Sequence, residues 1–132
     1  MPAAPRRYLN RKEMGSAGEQ EAARLLAARG YRIVAMNVRP LPGLARGEID
    51  IIAWDGPVLC FVEVKARRSR SLAPELSVNL PKRRKLIQLA EAYLSHVTPE
   101  PESCRFDVVS VWIDPSLPSP MVSLHKNAFG LE

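Results

Sequence analysis

Long apolar runs are missing from this sequence. No segment approaches the roughly 20 continuous apolar residues that span a bilayer, and the basic N-terminal segment is not followed by the apolar stretch of a signal peptide. We therefore expect a cytoplasmic protein without membrane contact. Hydrophobic residues make up 46% of the chain and charged residues 25%, a balance that excludes disordered and fibrous classes and predicts a packed core.

Cysteine is scarce. The two cysteines, Cys60 and Cys104, form no CxxC pair and have no histidine cluster beside them, so the ligands of a structural zinc site cannot be assembled. This excludes zinc fingers. Both thiols stand in apolar, strand-like segments, where a reduced cysteine behaves as a small hydrophobic residue. We expect both in the core.

Acidic residues are absent from three short basic windows, which hold twelve of the 19 lysines and arginines of a chain with net charge +5. The windows contain Arg6, Arg7, Arg11 and Lys12; Lys65, Arg67, Arg68 and Arg70; and Lys82, Arg83, Arg84 and Lys85. Together they favour a nucleic-acid partner, because basic side chains that neutralise phosphates release counterions. Solubilising charge remains the alternative for any single window. No base-reading motif is present, so recognition of backbone and shape is expected.

Internal repeats and signs of a second domain are also missing from the 132 residues. We predict a flexible basic arm over residues 1–12 and a single domain over residues 13–132. Hydrophobic periodicity predicts an α/β fold of order αβββαββ, with a central mixed sheet of about five strands flanked by helices. The predicted helices cover 13–29 and 81–97, the strands 31–38, 47–54, 57–66, 104–113 and 121–125, and a mobile loop 67–80.

Charged residues interrupt the second and third predicted strands. Because side chains alternate between faces, Glu48 and Asp50 should share one face of the second strand, with the isoleucines on either side of Asp50 on the other face. Glu63 and Lys65 should likewise share one face of the third strand. The Asp55-Gly56 turn predicts that the two strands form an antiparallel hairpin, which would bring these groups together.

Buried carboxylates are costly unless they are paired or bind a cation. Asp50, Glu63 and the backbone carbonyl of Val64 could form a partial shell for Mg²⁺ or Mn²⁺, which would polarise a phosphate and activate water. Lys65 could hold or deprotonate that water. The alternative is a set of ordinary salt bridges on the wet face of a sheet, for instance between Glu63 and an arginine and between Asp50 and Lys65. Asp107 is expected to pair with a nearby cation outside the catalytic set.

The run Gly47–Asp50, followed thirteen residues after Asp50 by Glu63-Val64-Lys65, resembles the signature of PD-(D/E)xK nucleases, although Ile49 stands where the superfamily often has proline. A wider pattern resembles the YraN-like uncharacterised bacterial family over about residues 15–129. It comprises Gly15, Gly18, Glu19, Ala22, Asn37, the runs GEIDII and FVEVKAR, Lys82, and Arg105 to Val108.

That family resembles archaeal Holliday-junction resolvases, which implies a restriction-endonuclease-like domain and a Mg²⁺-dependent DNA endonuclease, with branched DNA as one candidate substrate. The resemblance implies that Asp50, Glu63 and Glu19 are metal ligands and Lys65 the catalytic lysine. Glu48 is either a further ligand or an acid beside the ligands. Glu19 also lies on the apolar stripe of its helix, although an acid favoured by the helix dipole is the alternative.

Backbone phosphates of the nucleic acid are expected to meet eight basic residues: Arg6, Arg7, Arg11, Lys12, Arg67, Arg68, Lys82 and Arg83. Cleavage of both strands would call for a symmetric homodimer, by analogy. Two other classes remain open. One is an inactive nucleic-acid-binding protein on a nuclease-like fold, and the other is a partner-binding module whose charges are solvated.

Overall fold

The computed structural model describes residues 11–41, 47–68 and 78–129. The described chain forms one α/β domain in the predicted order. Its elements are helix α1 (Arg11–Ala28), strands β1 (Arg32–Val38), β2 (Ile49–Asp55) and β3 (Val58–Arg67), helix α2 (Leu80–Leu94), and strands β4 (Ser103–Trp112) and β5 (Met121–Phe129). The αβββαββ fold class is confirmed.

Several element boundaries differ from the prediction, and β2 begins at Ile49, two residues after its predicted start. Helix α1 begins at Arg11, so the last two residues of the predicted basic arm are helical. Helix α2 ends at Leu94, three residues before the predicted end, and β5 continues to Phe129, four residues beyond it. The remainder of the predicted arm, residues 1–10 with Arg6 and Arg7, and residues 69–77 of the predicted loop lie outside the described residues.

The five strands form one mixed sheet in the order β1-β2-β3-β4-β5. Strands β3 and β4 are parallel, and the other three pairs are antiparallel. Parallel neighbours need a crossover connection, and the chain between β3 and β4 contains α2. Gly56 turns the β2–β3 hairpin with a positive φ of 59°, a backbone conformation that glycine adopts without strain.

Two hydrophobic cores cover the faces of the sheet. Ala22 and Leu26 of α1 pack with Val62 on one face, and Leu89 of α2 packs with Phe61 on the other. The two cysteines lie in or against these cores as free thiols, as predicted. Among the described residues, no helix is both long enough and apolar enough to cross a bilayer.

Gly18 brings α1 close to the end of β3. A Cβ at this position would lie 2.8 Å from the Cβ of Ala66, so no larger residue fits without a shift of the helix. This close approach places Glu19, the next residue of α1, beside the end of β3 and the start of β2.

The predicted side-chain alternation at the start of β2 is wrong for one residue. We expected Ile49 and Ile51 on the same face, but Ile49 packs in the core beneath α2 and Ile51 in the core beneath α1. Regular pairing of β2 with β3 stops at Ile51 opposite Val62, so the residues before Ile51 are not held in the ladder with β3. The strand therefore departs from simple alternation at the point where Asp50 lies.

Candidate active site

The site begins with the way Asp50 ends the β2–β3 ladder. Its carboxylate Oδ2 accepts a hydrogen bond from the backbone N–H of Val64 at 2.8 Å, two residues beyond the last β2–β3 pair. A side-chain oxygen thus takes the place of a ladder carbonyl. This contact fixes Asp50 against β3 at Val64, the residue that follows Glu63.

Three acids from separate segments converge here. One carboxylate oxygen each of Glu19, Glu48 and Asp50 lies within 4.8 Å of the other two. The three residues come from α1, from the chain just before β2, and from β2. Oxygen donors in this number suit a hard divalent cation such as Mg²⁺ or Mn²⁺, which keeps water on its remaining positions. The donor set therefore fits the ion that the sequence predicts.

The electrostatics of the cluster are unfavourable without a cation. Burial raises the pKa of Asp50 to about 8, the negative charge of Glu63 adds to this, and the hydrogen bond from Val64 opposes it. Burial also raises the pKa of Glu19, while a hydrogen bond from the Asn37 side chain opposes this shift. The charges of Glu48 and Glu63 raise the pKa of Glu19 further. A bound cation would stabilise the ionised forms of Asp50 and Glu19 and so lower the pKa of both carboxyl groups.

Asn37 is a site residue whose contact sequence reasoning did not identify. It lies near the end of β1 with a positive φ of 54° and binds the Glu19 carboxylate through its side chain. Asparagine is among the few residues that tolerate this backbone conformation. The sequence pattern included Asn37, but only the fold shows that β1 ends beside α1.

Glu63 has a cationic partner from a distant helix. Its side chain is only 6% exposed, and its Oε1 lies 2.5 Å from Nζ of Lys82. Lys82 lies in the first turn of α2, where its backbone N–H donates to the capping Asn79 Oδ1 at 3.0 Å. The salt bridges that we considered for Glu63 and Asp50 involved an arginine and Lys65, and neither alternative named Lys82.

Two cavities meet at the acids. The larger, of about 820 Å³, is lined in part by Arg39, Glu48 and Lys85, and the smaller, of about 440 Å³, in part by Glu19, Arg67 and Arg68. Among the described residues, those common to both are Asp50, Glu63 and Lys82. Each cavity therefore combines the central acids with basic groups of its own, an arrangement that could hold phosphates on two sides of a bound cation.

Lys65 and Val64 follow Glu63 on β3. Val64 lines the smaller cavity, and its N–H is engaged by Asp50. Lys65 is half-buried and, among the described residues, does not line either of the two cavities. The catalytic role of Lys65 and the metal-ligand role of the Val64 carbonyl stay predictions.

The basic residues predicted to contact nucleic acid fall into two groups. Arg67 and Arg68 are exposed and line the smaller cavity, and Lys12 is exposed on α1. Arg83 instead has an internal role: its Nε donates to the Val78 carbonyl at 2.5 Å, and its guanidinium lies 5.6 Å from the Phe129 ring centre. Arg83 therefore joins α2 to β5, and its contact with nucleic acid stays a prediction.

Comparison with known proteins identifies the family. The profile described as "Uncharacterised protein family UPF0102" matches residues 18–111, more than half of the chain. A UPF0102 protein of Symbiobacterium thermophilum is 52% identical over 101 residues, covering 76% of this chain and 82% of that protein. A UPF0102 protein of Moorella thermoacetica is 43% identical over 123 residues, covering 92% of this chain and 98% of its own length.

A third relative, from Dehalococcoides mccartyi, is 43% identical over 124 residues and is covered over 98% of its length. These matches confirm the resemblance to the uncharacterised bacterial family that the motifs indicated. The chain therefore belongs to the family UPF0102.

Proposed function

We propose that the protein is a metal-dependent endonuclease that hydrolyses phosphodiester bonds of DNA in the cytoplasm. The observation that best supports this proposal is the meeting of the Glu19, Glu48 and Asp50 oxygens within 4.8 Å of one another, beside two cavities with basic linings. Acids gathered at a partly buried point need a cation, and basic groups around them attract a polyanion. A phosphodiester backbone with a divalent cation satisfies both.

The roles of the acids follow from their positions. Asp50 is held against β3 by the Val64 N–H, so it is the best oriented ligand, and Glu19 and Glu48 add oxygens from two other segments. Glu63 lines both cavities and provides a fourth carboxylate, with the Val64 carbonyl as a further oxygen. A divalent cation bound here would supply Lewis-acid stabilisation of the phosphate and a water of lowered pKa.

The basic residues would position the DNA. Arg39 and Lys85 line the cavity on one side of the shared acids, and Arg67 and Arg68 line the cavity on the other. Phosphates on either side of the scissile bond could be held by these two pairs, which fixes the bond over the acids without reading any base. Lys65, on the same strand as Glu63, would hold a proton or stabilise charge on the reacting phosphate.

The fold agrees with the resemblance to PD-(D/E)xK nucleases and Holliday-junction resolvases. A helix precedes three antiparallel strands, a second helix and two further strands, and the acids of the signature lie at the start of β2 and in the middle of β3. This agreement supports a restriction-endonuclease-like domain, and with it branched DNA as a candidate substrate.

Cleavage assays test the proposal. Branched, nicked and linear DNA would be incubated with the protein and Mg²⁺ or Mn²⁺, and we expect cutting by the wild type and none by Asp50→Asn or Lys65→Met. Glu19→Gln should lower the rate strongly, whereas Glu21→Gln, on the same helix in an ion pair with Arg24, should cut like the wild type. If no substrate is cut with either metal, or if Asp50→Asn cuts as fast as the wild type, the endonuclease proposal is wrong.

A second candidate is an inactive nucleic-acid-binding protein, and the Lys82–Glu63 ion pair favours it because a lysine already neutralises one acid. Binding of duplex DNA at about 50 mM salt without cleavage would support this alternative, and the same titration with RNA would define the nucleic acid. Sedimentation during cleavage would test the homodimer that cutting of both strands requires.

A further inference from the structure

The Lys82–Glu63 ion pair differs from an ordinary surface salt bridge. Glu63 is buried, with 6% of its side chain exposed, whereas Lys82 is 51% exposed and reaches Glu63 from the first turn of α2. Exposed pairs contribute little, but a buried carboxylate without its partner is costly. The amine therefore neutralises a charge that the fold cannot leave uncompensated.

The pair also occupies the centre of the site. Asp50, Glu63 and Lys82 each line both cavities, so the lysine amine lies where both cavities reach the acids. A divalent cation that used Glu63 as a ligand would compete with this amine for the same carboxylate. Both cations cannot neutralise Glu63 fully at once.

The Lys82 side chain is placed so that its amine could leave Glu63 and contact another anion. Its backbone is fixed by the Asn79 cap, but its four-carbon side chain is half exposed and borders both cavities. A lysine in the first turn of a helix is disfavoured by the helix dipole, and an anionic group near that end is favoured. A DNA phosphate in either cavity would offer the amine a new partner when it leaves Glu63.

We propose that Lys82 is an internal counter-cation that holds Glu63 in the absence of metal and moves to a DNA phosphate when a divalent cation binds. This inference rests on the proposed function and adds a coupling to it. Because the same amine serves Glu63 or a phosphate, metal and DNA bind with positive cooperativity. By linkage, each raises the affinity of the other by the same factor.

Metal affinity provides a test that is independent of cleavage. Mn²⁺ binding would be measured calorimetrically for the wild type, for Lys82→Met, and for Arg84→Met, which removes the same charge from an exposed position on the same helix. Removing a competing charge-assisted contact should tighten Mn²⁺ binding by Lys82→Met on the order of tenfold without DNA. Arg84→Met should bind Mn²⁺ like the wild type.

DNA binding supplies the second half of the test. Anisotropy of a labelled duplex would be recorded in EDTA and in Ca²⁺, over a range of salt. Lys82→Met should lower the salt slope in Ca²⁺ by about one phosphate contact and reduce the gain in DNA affinity that Ca²⁺ gives the wild type. In EDTA, where the amine still holds Glu63, the salt slopes of the two proteins should agree.

The outcomes separate this inference from the proposed function. If Lys82→Met binds Mn²⁺ no tighter than the wild type while the wild type cuts DNA, the counter-cation is wrong and the nuclease stands. If neither the wild type nor Lys82→Met binds Mn²⁺, the counter-cation inference and the nuclease proposal are both wrong. Lys82→Gln, which keeps a polar group beside Glu63, provides the same comparison should Lys82→Met fail to fold, and circular dichroism checks both variants first.

Discussion

Strand β2 carries an aspartate near each end, and the surroundings shift the pKa values of the two carboxyl groups in opposite directions. At one end, Asp55 accepts hydrogen bonds from Arg105 at 2.7 Å and from Lys126 at 3.1 Å, and these contacts hold its pKa below the ordinary range. At the other end, burial raises the pKa of Asp50 to about 8, with further acids close by. Asp55 thus has two cationic hydrogen-bond partners, whereas Asp50 is buried beside other carboxylates, which raise its pKa.

The balanced end belongs to a network that we call the Arg105 network, comprising Tyr31, Asp55, Arg105, Asp107 and Lys126. Asp107 is fully buried and accepts from Arg105 Nε at 2.8 Å and from the Tyr31 hydroxyl at 2.9 Å. Asp107 thus pairs with a cation, as we predicted. The buried Asp107 therefore has its partners within the chain, whereas the acids around Asp50 are balanced only in part, by Lys82 on Glu63 and by Arg39 on Glu48. We propose that a divalent cation supplies the remaining positive charge.

Replacing Arg105 in the Arg105 network should give the largest effect on stability. Arg105→Met leaves the buried Asp107 uncompensated, so we expect a loss of about 3–5 kcal/mol in the free energy of unfolding, measured in urea. Arg24→Met, which removes an exposed ion pair with Glu21, should cost less than about 0.5 kcal/mol. Equal losses in the two variants would break the distinction between the two ends of β2.

Moving α1 should disturb the acidic end alone. A Cβ in Gly18→Ala would overlap Ala66, so we expect a loss of about 1–3 kcal/mol and weaker Mn²⁺ binding, because Glu19 follows directly. Gly15→Ala has no atom within 4 Å of the new Cβ and should instead stabilise α1 by about 0.5–1 kcal/mol. A Gly18→Ala variant with unchanged Mn²⁺ affinity would show that the helix position does not set the site.

Neutralising Asp50 should raise the free energy of unfolding of the metal-free protein, whereas a substitution in the Arg105 network should lower it. In EDTA at pH 8, Asp50→Asn should be more stable than the wild type by about 1–2 kcal/mol, since an amide oxygen can still accept from Val64 without a buried charge. Saturating Mn²⁺ should reverse the order, because it stabilises only the protein that binds it. Chemical unfolding in EDTA and in Mn²⁺ measures the two stability differences. An Asp50→Asn variant that is less stable than the wild type in EDTA would contradict the prediction.

The pH dependence of the metal-free protein sharpens the same contrast. The pKa of Asp50 is raised from 3.8 to about 8, so the folded state binds this proton more tightly and the contribution of Asp50 to stability falls as pH rises through that range. We expect the Tm in EDTA to be about 3–6 °C lower at pH 8 than at pH 5.5. Mn²⁺ should raise the Tm more at pH 8 than at pH 5.5.

Local rules predicted much of this molecule. Hydrophobic periodicity and the Asp55-Gly56 turn gave the order of elements and the β2–β3 hairpin, since both depend on near neighbours in the chain. Alternation placed Glu48 and Asp50 on one face of a strand; Glu48 lies just before β2 instead, but one carboxylate oxygen of each does come close to one of Glu19. The resemblance to known motifs had already named all three.

Contacts between distant segments could not be predicted. The Lys82–Glu63 pair joins α2 to β3, and Arg83 donates a hydrogen bond to the Val78 carbonyl in addition to the nucleic-acid role predicted for it. Neither contact produces a recognisable pattern in the local sequence. Ile49 was misplaced because the Asp50 carboxylate, rather than a backbone carbonyl, receives the Val64 N–H, and alternation assumes an unbroken ladder.

The two cysteines should react with thiol reagents at different rates, because they differ in burial. Burial raises the pKa of the Cys60 thiol to about 12, so the nucleophilic thiolate forms only when the middle of the sheet opens. Cys104 is half-buried at the start of β4, and burial raises the pKa of its thiol as well. An alkylating reagent should therefore label Cys104 first and Cys60 only as the sheet comes apart, so the two labelling rates report separately on the start of β4 and on the centre of the sheet in the unmodified protein.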